Sequence, residues 1–179
     1  MADKGVIFAR RKEGVWGYAL FSLIPLFENP YRKGVRNETL EKLTPLWRSY
    51  WKLLSKLSGT KEYKQTPFLR VIPIQKEIEY KAEVLNYEKV FEMIDRARVV
   101  GISHCACRSL QQNCQAPRET CMVFDSMCTY MVERGFARYL SKEEMKNKLK
   151  EFGLEGLVRL VNNTRDRLEF VCHCCSCCC

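Results

Sequence analysis

Cysteine is absent from the chain before Cys105, and all 11 cysteines lie between that residue and Cys179. Five lie in one window that ends at Cys128, and six lie in the terminal octapeptide CHCCSCCC. An odd number cannot pair completely, and adjacent cysteines are poor disulfide partners because neighbouring Cβ atoms of an extended chain point to opposite faces. The distribution argues against a disulfide-rich secreted segment and favours thiolates gathered around a soft metal.

A secretory signal and a membrane-spanning run are also missing. The longest uncharged apolar run, Val15 to Phe27, is interrupted by Gly17 and Pro25 and is shorter than the ~20 residues that a spanning helix needs. We therefore expect no membrane partner and a cytoplasmic location, where thiols stay reduced and available to metal.

Histidine is scarce: His104 and His173 are the only two, and each adjoins a cysteine. No separate Cys–His–carboxylate set is discernible, which argues against a catalytic cysteine enzyme and for an electron carrier or an oxidoreductase subunit. Both histidines are candidates to ligate a metal or, as we favour, to donate hydrogen bonds to metal-bound sulfur. Arg108, directly after Cys107, is placed to neutralise the charge of a metal–thiolate centre.

The composition is that of a folded protein about one domain long, with 179 residues, of which 46% are hydrophobic and 11% aromatic. Its formal net charge of +9 counts every thiol as neutral. A basic shell would stabilise anionic thiolates around a metal. It would equally suit nucleic acid or an acidic protein partner, so charge alone does not choose the partner.

The hydrophobic pattern predicts an α+β fold, with a mostly helical middle and short β-hairpins at the N terminus and before the cysteine-rich tail. The first hairpin spans residues 5–27 and has a basic tip at Arg10, Arg11 and Lys12. This tip resembles the wing of a winged helix, but a solvated hairpin tip is the favoured interpretation, because no recognition helix precedes it.

Periodic apolar residues predict a helix over residues 38–57, with a kink or a fresh first turn at Pro45. A short strand at residues 69–74 is placed at a sheet edge because it contains Pro73. The next helix is expected to end near Val99 and to lead directly into a loop of cysteines.

Three further elements are predicted after that loop. A short helix follows Cys121 and stops at Gly135. Ser141 and Glu144 form the capping box of another helix. Residues 157–171 form a hairpin whose second strand leads into the tail.

Four cysteines of the first window have a spacing that suits one cubane cluster. Cys105 and Cys107, in a locally extended loop, would point the same way and lie about 6.6 Å apart by strand rise. Cys114 and Cys121 would return from other directions, because Pro117 and its polar neighbours favour a wrapped loop. Four thiolates are what a [4Fe–4S] cluster requires.

The tail contains overlapping C-x-x-C pairs, namely Cys172 with Cys175, Cys174 with Cys177, and Cys175 with Cys178. This redundancy favours metal binding but does not fix the ligands. Zinc is the alternative, because paired C-x-x-C units also hold structural zinc. The surplus of thiols over four favours iron–sulfur chemistry, with one or two [4Fe–4S] clusters. Cys128 is offset from the others and is expected to be a buried helical thiol.

An ordered series of segments resembles a family of ferredoxin-type iron–sulfur proteins of anaerobic bacteria and archaea. The segments are RVIPIQ, CACR, CQAP, SKEE, EGLVRLVNN and CHCCSCCC, which together span most of residues 5–179. The resemblance implies a partial winged-helix-like hairpin and linker over residues 1–34. It implies an iron–sulfur binding domain over residues 35–179, with a cysteine-rich loop at 104–121 and a tail at 172–179.

The resemblance also implies that the loop and the tail supply the cluster ligands, which are Cys105, Cys107, Cys114, Cys121, Cys172, Cys174, Cys175 and Cys177. Because the chain looks shortened at both ends relative to the family, a redox partner protein or a separate ferredoxin module would complete electron transfer. No role is assigned to Cys178 or Cys179.

We therefore expect a protein that transfers single electrons between protein partners. One alternative is a metal- or redox-dependent DNA-binding regulator, in which metal occupancy sets how the basic hairpin meets nucleic acid. Another is a structural zinc-binding protein. Nucleic acid is not the favoured partner.

Overall fold

The computed structural model describes residues 6–20, 28–35, 37–58, 69–72, 87–162 and 168–178. The strands are β1 (Ile7–Lys12), β2 (Val15–Leu20), β3 (Leu69–Ile72), β4 (Val100–His104), β5 (Glu119–Phe124), β6 (Ala137–Leu140), β7 (Val158–Asn162) and β8 (Phe170–Cys174). The α-helices are α1 (Glu38–Ser58), α2 (Tyr87–Arg96), α3 (Ala106–Gln111), α4 (Asp125–Glu133) and α5 (Lys142–Leu154), and a 3₁₀ helix (Asn29–Lys33) precedes α1. The predicted α+β class is confirmed. No helix in the described ranges has the length and apolar content of a membrane span.

A six-stranded antiparallel sheet, in the order β3-β7-β8-β5-β4-β6, organises the described part of the chain. β8 lies in its interior, between β7 and β5, so the cysteine-rich tail leaves the sheet near its middle. β3 is an edge strand, as predicted, although Pro73 itself lies outside the described residues. β1 and β2 form a separate antiparallel hairpin, which confirms the hairpin predicted at the N terminus.

Each face of the sheet carries a hydrophobic core, because successive residues of a strand point to opposite faces. Met122 and Phe124 of β5 belong to the core that α2 and α5 cover. Cys121 and Val123 alternate with them and belong to the core that α4 covers. The second core contains Cys128, which is fully buried in α4 as its offset position predicted.

Helix α5 begins and packs as predicted. The Ser141 hydroxyl accepts a hydrogen bond from the backbone N–H of Glu144 at 3.1 Å, and the Glu144 carboxylate accepts one from the backbone N–H of Ser141 at 2.7 Å. Met145, Leu149 and Phe152 then lie in the first core. The capping box fixes where the helix begins, and the apolar stripe fixes which face it buries.

Helix α1 forms a third core with the 3₁₀ helix and α3. Leu40 and Trp47 of α1 are buried with Ala106 and Leu110 of α3. The helix is continuous through Pro45, so no fresh start occurs there. Its packing brings α1 against the helix that follows the first cysteine.

Two strands of the central sheet, β4 and β5, differ from the prediction. The helix expected to end near Val99 ends at Arg96, and the chain then enters β4 rather than a loop. Cys121 lies within β5 rather than in a loop, and the short helix expected after it is present as α4. Short apolar runs do not distinguish strand from helix, and here pairing with neighbouring strands decides the structure.

Candidate metal centre

The sheet brings the two cysteine-bearing segments together. Gln112 ends α3 with a left-handed backbone, φ 56°, and the chain then passes Cys114 on its way to β5. The tail follows β8, the strand next to β5. The loop and the tail therefore emerge side by side, although 61 residues separate Cys114 from Cys175.

Four cysteines, which we call the tail group, meet where the loop and the tail converge. They are Cys114, Cys175, Cys177 and Cys178, and all four sulfur atoms lie within 4.8 Å of one another. The Cys175 sulfur lies 3.7 Å from that of Cys114 and 3.5 Å from that of Cys177, and the Cys178 sulfur lies 3.9 Å from that of Cys114. These four thiols are close enough to hold a metal ion.

Within the tail group, Cys177 and Cys178 are joined as a disulfide. This corrects the expectation that adjacent cysteines would not pair. That expectation assumed an extended chain, whereas residues 176–178 form a turn, in which neighbouring Cβ atoms converge. The pair must be reduced before all four sulfurs can bind metal as thiolates.

Five other cysteines, which we call the sheet group, lie in β5, in β8 and at the start of α3. They are Cys105, Cys107, Cys121, Cys172 and Cys174. The Cys121 and Cys172 thiols are hydrogen-bonded across β5 and β8, and Cys172 is hydrogen-bonded to Cys174. From the 3₁₀ helix, the Arg32 guanidinium donates to the Cys121 sulfur at 3.1 Å. Cys105 precedes α3 and is hydrogen-bonded to Cys107, so the loop predicted here as extended is helical instead.

The sheet-group thiols differ in acidity. Hydrogen bonds from the Cys107 side chain and the Arg108 backbone, together with the Arg108 charge, lower the pKa of Cys105 against the effect of burial. A hydrogen bond with Cys172 and complete burial hold the pKa of Cys121 well above its usual value. The pKa of Cys172 is also raised: its hydrogen bond with Cys121 lowers it, but its hydrogen bond with Cys174 and burial outweigh that effect. Cys105 is therefore the most readily ionised of these three, whereas Cys121 and Cys172 retain protons at neutral pH.

Two arginine side chains are buried in or next to the sheet, and one of them, Arg108, lies beside Cys105. Arg108 and Arg159 are 2% and 1% exposed, and no Asp or Glu is among the buried residues of the described ranges. One Arg108 nitrogen donates to the Thr120 hydroxyl, whereas its Nε and Nη1 have no hydrogen-bond acceptor in the part of the chain that the structure describes. Arg159 donates to the Leu149 carbonyl at 2.6 Å. Burying the Arg108 guanidinium without an anion is costly, so its position favours an anion such as the Cys105 thiolate.

The two histidines do not contact sulfur in the structure. His173 alternates with Cys172 and Cys174 along β8 and points into the opposite core, where its ring packs against Phe152 at 4.8 Å. Its Nδ1 lies 2.8 Å from the Thr120 carbonyl, which fixes Nδ1 as the protonated nitrogen, and burial lowers the pKa of His173 to about 3. The Nδ1 of His104 is buried and has no partner within the described ranges.

The eight predicted ligands are divided between the two groups. Cys114, Cys175 and Cys177 lie in the tail group, and the other five make up the sheet group. The four loop cysteines expected to complete one cubane are therefore separated. Cys114 lies with the tail, whereas Cys121 is hydrogen-bonded to Cys172 and Cys105 to Cys107. The ligand roles themselves stay predictions.

Sequence reasoning missed two contributors to the site. Cys178 completes the tail group, and the C-x-x-C pair that it forms with Cys175 was the available signal. Arg32 contacts Cys121 across 89 residues, and no local pattern marks it.

Comparison of the chain with protein-family models, with curated proteins and with solved structures found no match. The resemblance to ferredoxin-type iron–sulfur proteins therefore stays a prediction. What the structure establishes is a group of four cysteine sulfurs that lie close enough together to hold a metal ion.

Proposed function

We propose that the protein holds an iron–sulfur cluster at the tail group and transfers single electrons between protein partners. The observation that carries this proposal is the convergence of the four tail-group sulfurs within 4.8 Å. Thiolate sulfur is the donor that iron–sulfur clusters require, and four of them complete one [4Fe–4S] cluster. Such a cluster, when bound, accepts and releases one electron.

The surroundings of the thiols support iron–sulfur chemistry. Four thiolates exceed the charge of a divalent ion by two, so a metal–thiolate centre is anionic. Arg108 beside Cys105, and Arg32 at the Cys121 sulfur, supply positive charge next to the sheet group, where Arg32 is also paired with Glu28 at 2.6 Å. A cluster held by the sheet group would therefore meet cations that are already in place.

The position of the tail group suits exchange with a partner protein. Cys178 is buried, whereas Ser176 and Cys177 of the same turn are exposed. The inner ligand would shield a cluster from water, and the exposed side would allow a partner to approach. The nine cysteines of the two groups also exceed what one cluster uses, and the sheet group is the candidate site of a second cluster.

A structural metal ion is the second candidate, and the sulfur spacing favours it. A metal–sulfur distance of ~2.3 Å in a tetrahedral site places sulfurs about 3.8 Å apart. Three of the six tail-group separations agree with that spacing, namely 3.5 Å for Cys175–Cys177, 3.7 Å for Cys114–Cys175 and 3.9 Å for Cys114–Cys178. Cys177 and Cys178, which are joined as a disulfide, would have to separate to reach it. In a cubane each sulfur binds its own iron, so the tail would have to open to admit it.

Metal analysis of protein that is purified under reducing, oxygen-free conditions distinguishes the two candidates. Iron, acid-labile sulfide and zinc are measured per chain, together with visible absorbance and electron paramagnetic resonance after reduction. An iron–sulfur protein is brown, contains about four iron atoms per cluster, and bleaches on reduction. One zinc ion in a colourless protein supports the structural site instead, and no bound metal after reconstitution refutes both.

Two variants locate the metal. Cys175→Ala removes a tail-group sulfur, and Cys128→Ala removes a thiol buried in the other core. We expect Cys175→Ala to lose the tail-group metal and Cys128→Ala to keep it. If Cys175→Ala retains the full metal content, the tail group is not the site.

A further inference from the structure

The N-terminal hairpin presents a row of exposed aromatic and apolar side chains. Residues that pair directly in an antiparallel hairpin share a face, and every second residue of a strand returns to it. Trp16, Tyr18 and Leu20 therefore lie in one row, with Arg11 opposite Trp16. Their exposed fractions are 47%, 65% and 88%, although large apolar side chains are usually covered.

The two rings of this row form a flat platform. The Trp16 and Tyr18 rings lie 6.4 Å apart and within 18° of parallel. The Arg11 guanidinium lies 5.9 Å from the centre of the Trp16 ring, and its Nε donates to the Gly14 carbonyl of the turn at 3.3 Å. The platform therefore combines two stacked aromatic faces with a positioned cation.

The hairpin is anchored through its other strand. The Phe8 ring lies 4.9 Å from the Tyr130 ring of α4, and the Tyr130 hydroxyl donates to the Ile7 carbonyl at 3.1 Å. Phe8 packs against the core that α4 covers. β1 thus anchors the hairpin to the protein, whereas β2, which carries the aromatic row, is exposed along its whole length.

The charge around the platform is positive. Arg10, Arg11 and Lys12 are consecutive and exposed, and Glu13 is the only acidic residue between residues 6 and 20. Arg11 shares the face of Trp16 and Tyr18, whereas Arg10 and Lys12 alternate with it at the tip of the hairpin. Glu13 lies 4.0 Å from Lys12, so it offsets one of the three cations. A basic surface beside exposed rings has the two properties that bind a single nucleic-acid strand: cations for the phosphates and π-faces for unpaired bases.

We infer that this hairpin binds single-stranded nucleic acid, with bases stacked on Trp16 and Tyr18 and a phosphate held by Arg11 on the same face. A duplex offers phosphates but keeps its bases stacked on one another, so it cannot use the aromatic platform. An acidic protein would use the cations alone. The inference rests on the hairpin and not on the metal centre, and it adds a second activity to the proposed electron transfer.

The test is fluorescence anisotropy with labelled single-stranded oligonucleotides, of both DNA and RNA, at several salt concentrations. We expect binding that weakens as salt increases. Trp16→Ala should weaken binding roughly 5- to 150-fold, which corresponds to the loss of one base–aromatic stack. Trp16→Phe should retain most of the affinity, and Leu20→Ala, on the same row but unable to stack, should bind like the wild type.

A duplex of the same sequence and polyglutamate serve as competitors. Weak competition by both supports the inference. If both competitors displace the labelled strand as well as unlabelled single strand does, and Trp16→Ala has no effect, the surface binds polyanions or acidic proteins in general. That result overturns the inference. Absence of binding at low salt by a wild-type protein with native circular dichroism also overturns it. Circular dichroism of Trp16→Ala and Trp16→Phe establishes that each variant is folded.

Discussion

Replacing Gly34 by alanine tests whether the 3₁₀ helix is seated against the thiol region through His104. Gly34 ends that helix with φ +70°, and an added Cβ would lie 2.5 Å from Nε2 of the His104 ring. The left-handed backbone costs a non-glycine residue about 1–2 kcal/mol. Moving the ring away adds an overpacking cost of about 1–3 kcal/mol. We therefore expect Gly34→Ala to lower the free energy of unfolding by about 2–5 kcal/mol.

Gly135→Ala is the matched control. Gly135 has φ +69°, and an added Cβ would meet no atom within 4 Å. Gly135→Ala should therefore lower the free energy of unfolding only by the backbone contribution, about 1–2 kcal/mol. Urea unfolding of the reduced, metal-free variants measures the difference, which isolates the contact with His104. Equal losses of unfolding free energy in the two variants would show that the His104 ring does not pack against Gly34, and that the 3₁₀ helix does not lie where the structure places it.

Three further predictions concern the core, a helix cap and a buried cation. Leu149→Ala, at a fully buried site, should cost about 2–5 kcal/mol in urea unfolding, whereas Leu154→Ala, 91% exposed on the same helix, should change stability by less than about 0.5 kcal/mol. Ser141→Ala should cost about 1 kcal/mol at neutral pH. Hydrogen bonds from the Ser141 backbone and hydroxyl lower the pKa of Glu144, so the part of the cap that this carboxylate supplies is lost as pH falls through that lowered pKa. The gap between Ser141→Ala and the wild type should narrow on acidification, and a constant gap would contradict the capping box. Arg108→Met should leave the metal-free protein equally or more stable, by up to about 4 kcal/mol, while weakening metal binding, as followed by thermal melts with and without metal; a large loss of stability without metal would refute the cation argument.

Local signals allowed part of this fold to be predicted. The capping box at Ser141 and the apolar stripe of α5 specify that helix within its own sequence, and the turn at Glu13 and Gly14 specifies the first hairpin. β4 and β5 carry no such signal. Their short apolar runs become strands because each pairs with a neighbour distant in sequence, and a sequence pattern does not contain that pairing.

The candidate site was predictable to the same limited extent. Cysteine spacing identified the two segments that converge, but it could not divide the thiols between two groups. That division follows from strand order, because β8 lies beside β5 and brings Cys172 to Cys121. Cys114 lies beyond the end of that pairing and meets the tail instead. Arg32 reaches Cys121 only because the 3₁₀ helix lies over the same region.

The protonation of the sheet group links metal binding to pH. Without metal, Cys121 and Cys172 retain their protons, because the hydrogen bond with Cys172 at Cys121 and the hydrogen bond with Cys174 at Cys172 raise the pKa of each thiol above the ordinary value, as does burial. Arg32 then meets a neutral sulfur at Cys121, and Glu28, 2.6 Å away, balances its charge. A metal that binds these thiols must displace their protons, and each thiolate so formed is attracted to the Arg32 guanidinium already in place. The affinity for metal must therefore fall as the pH falls and protons compete for the sulfurs.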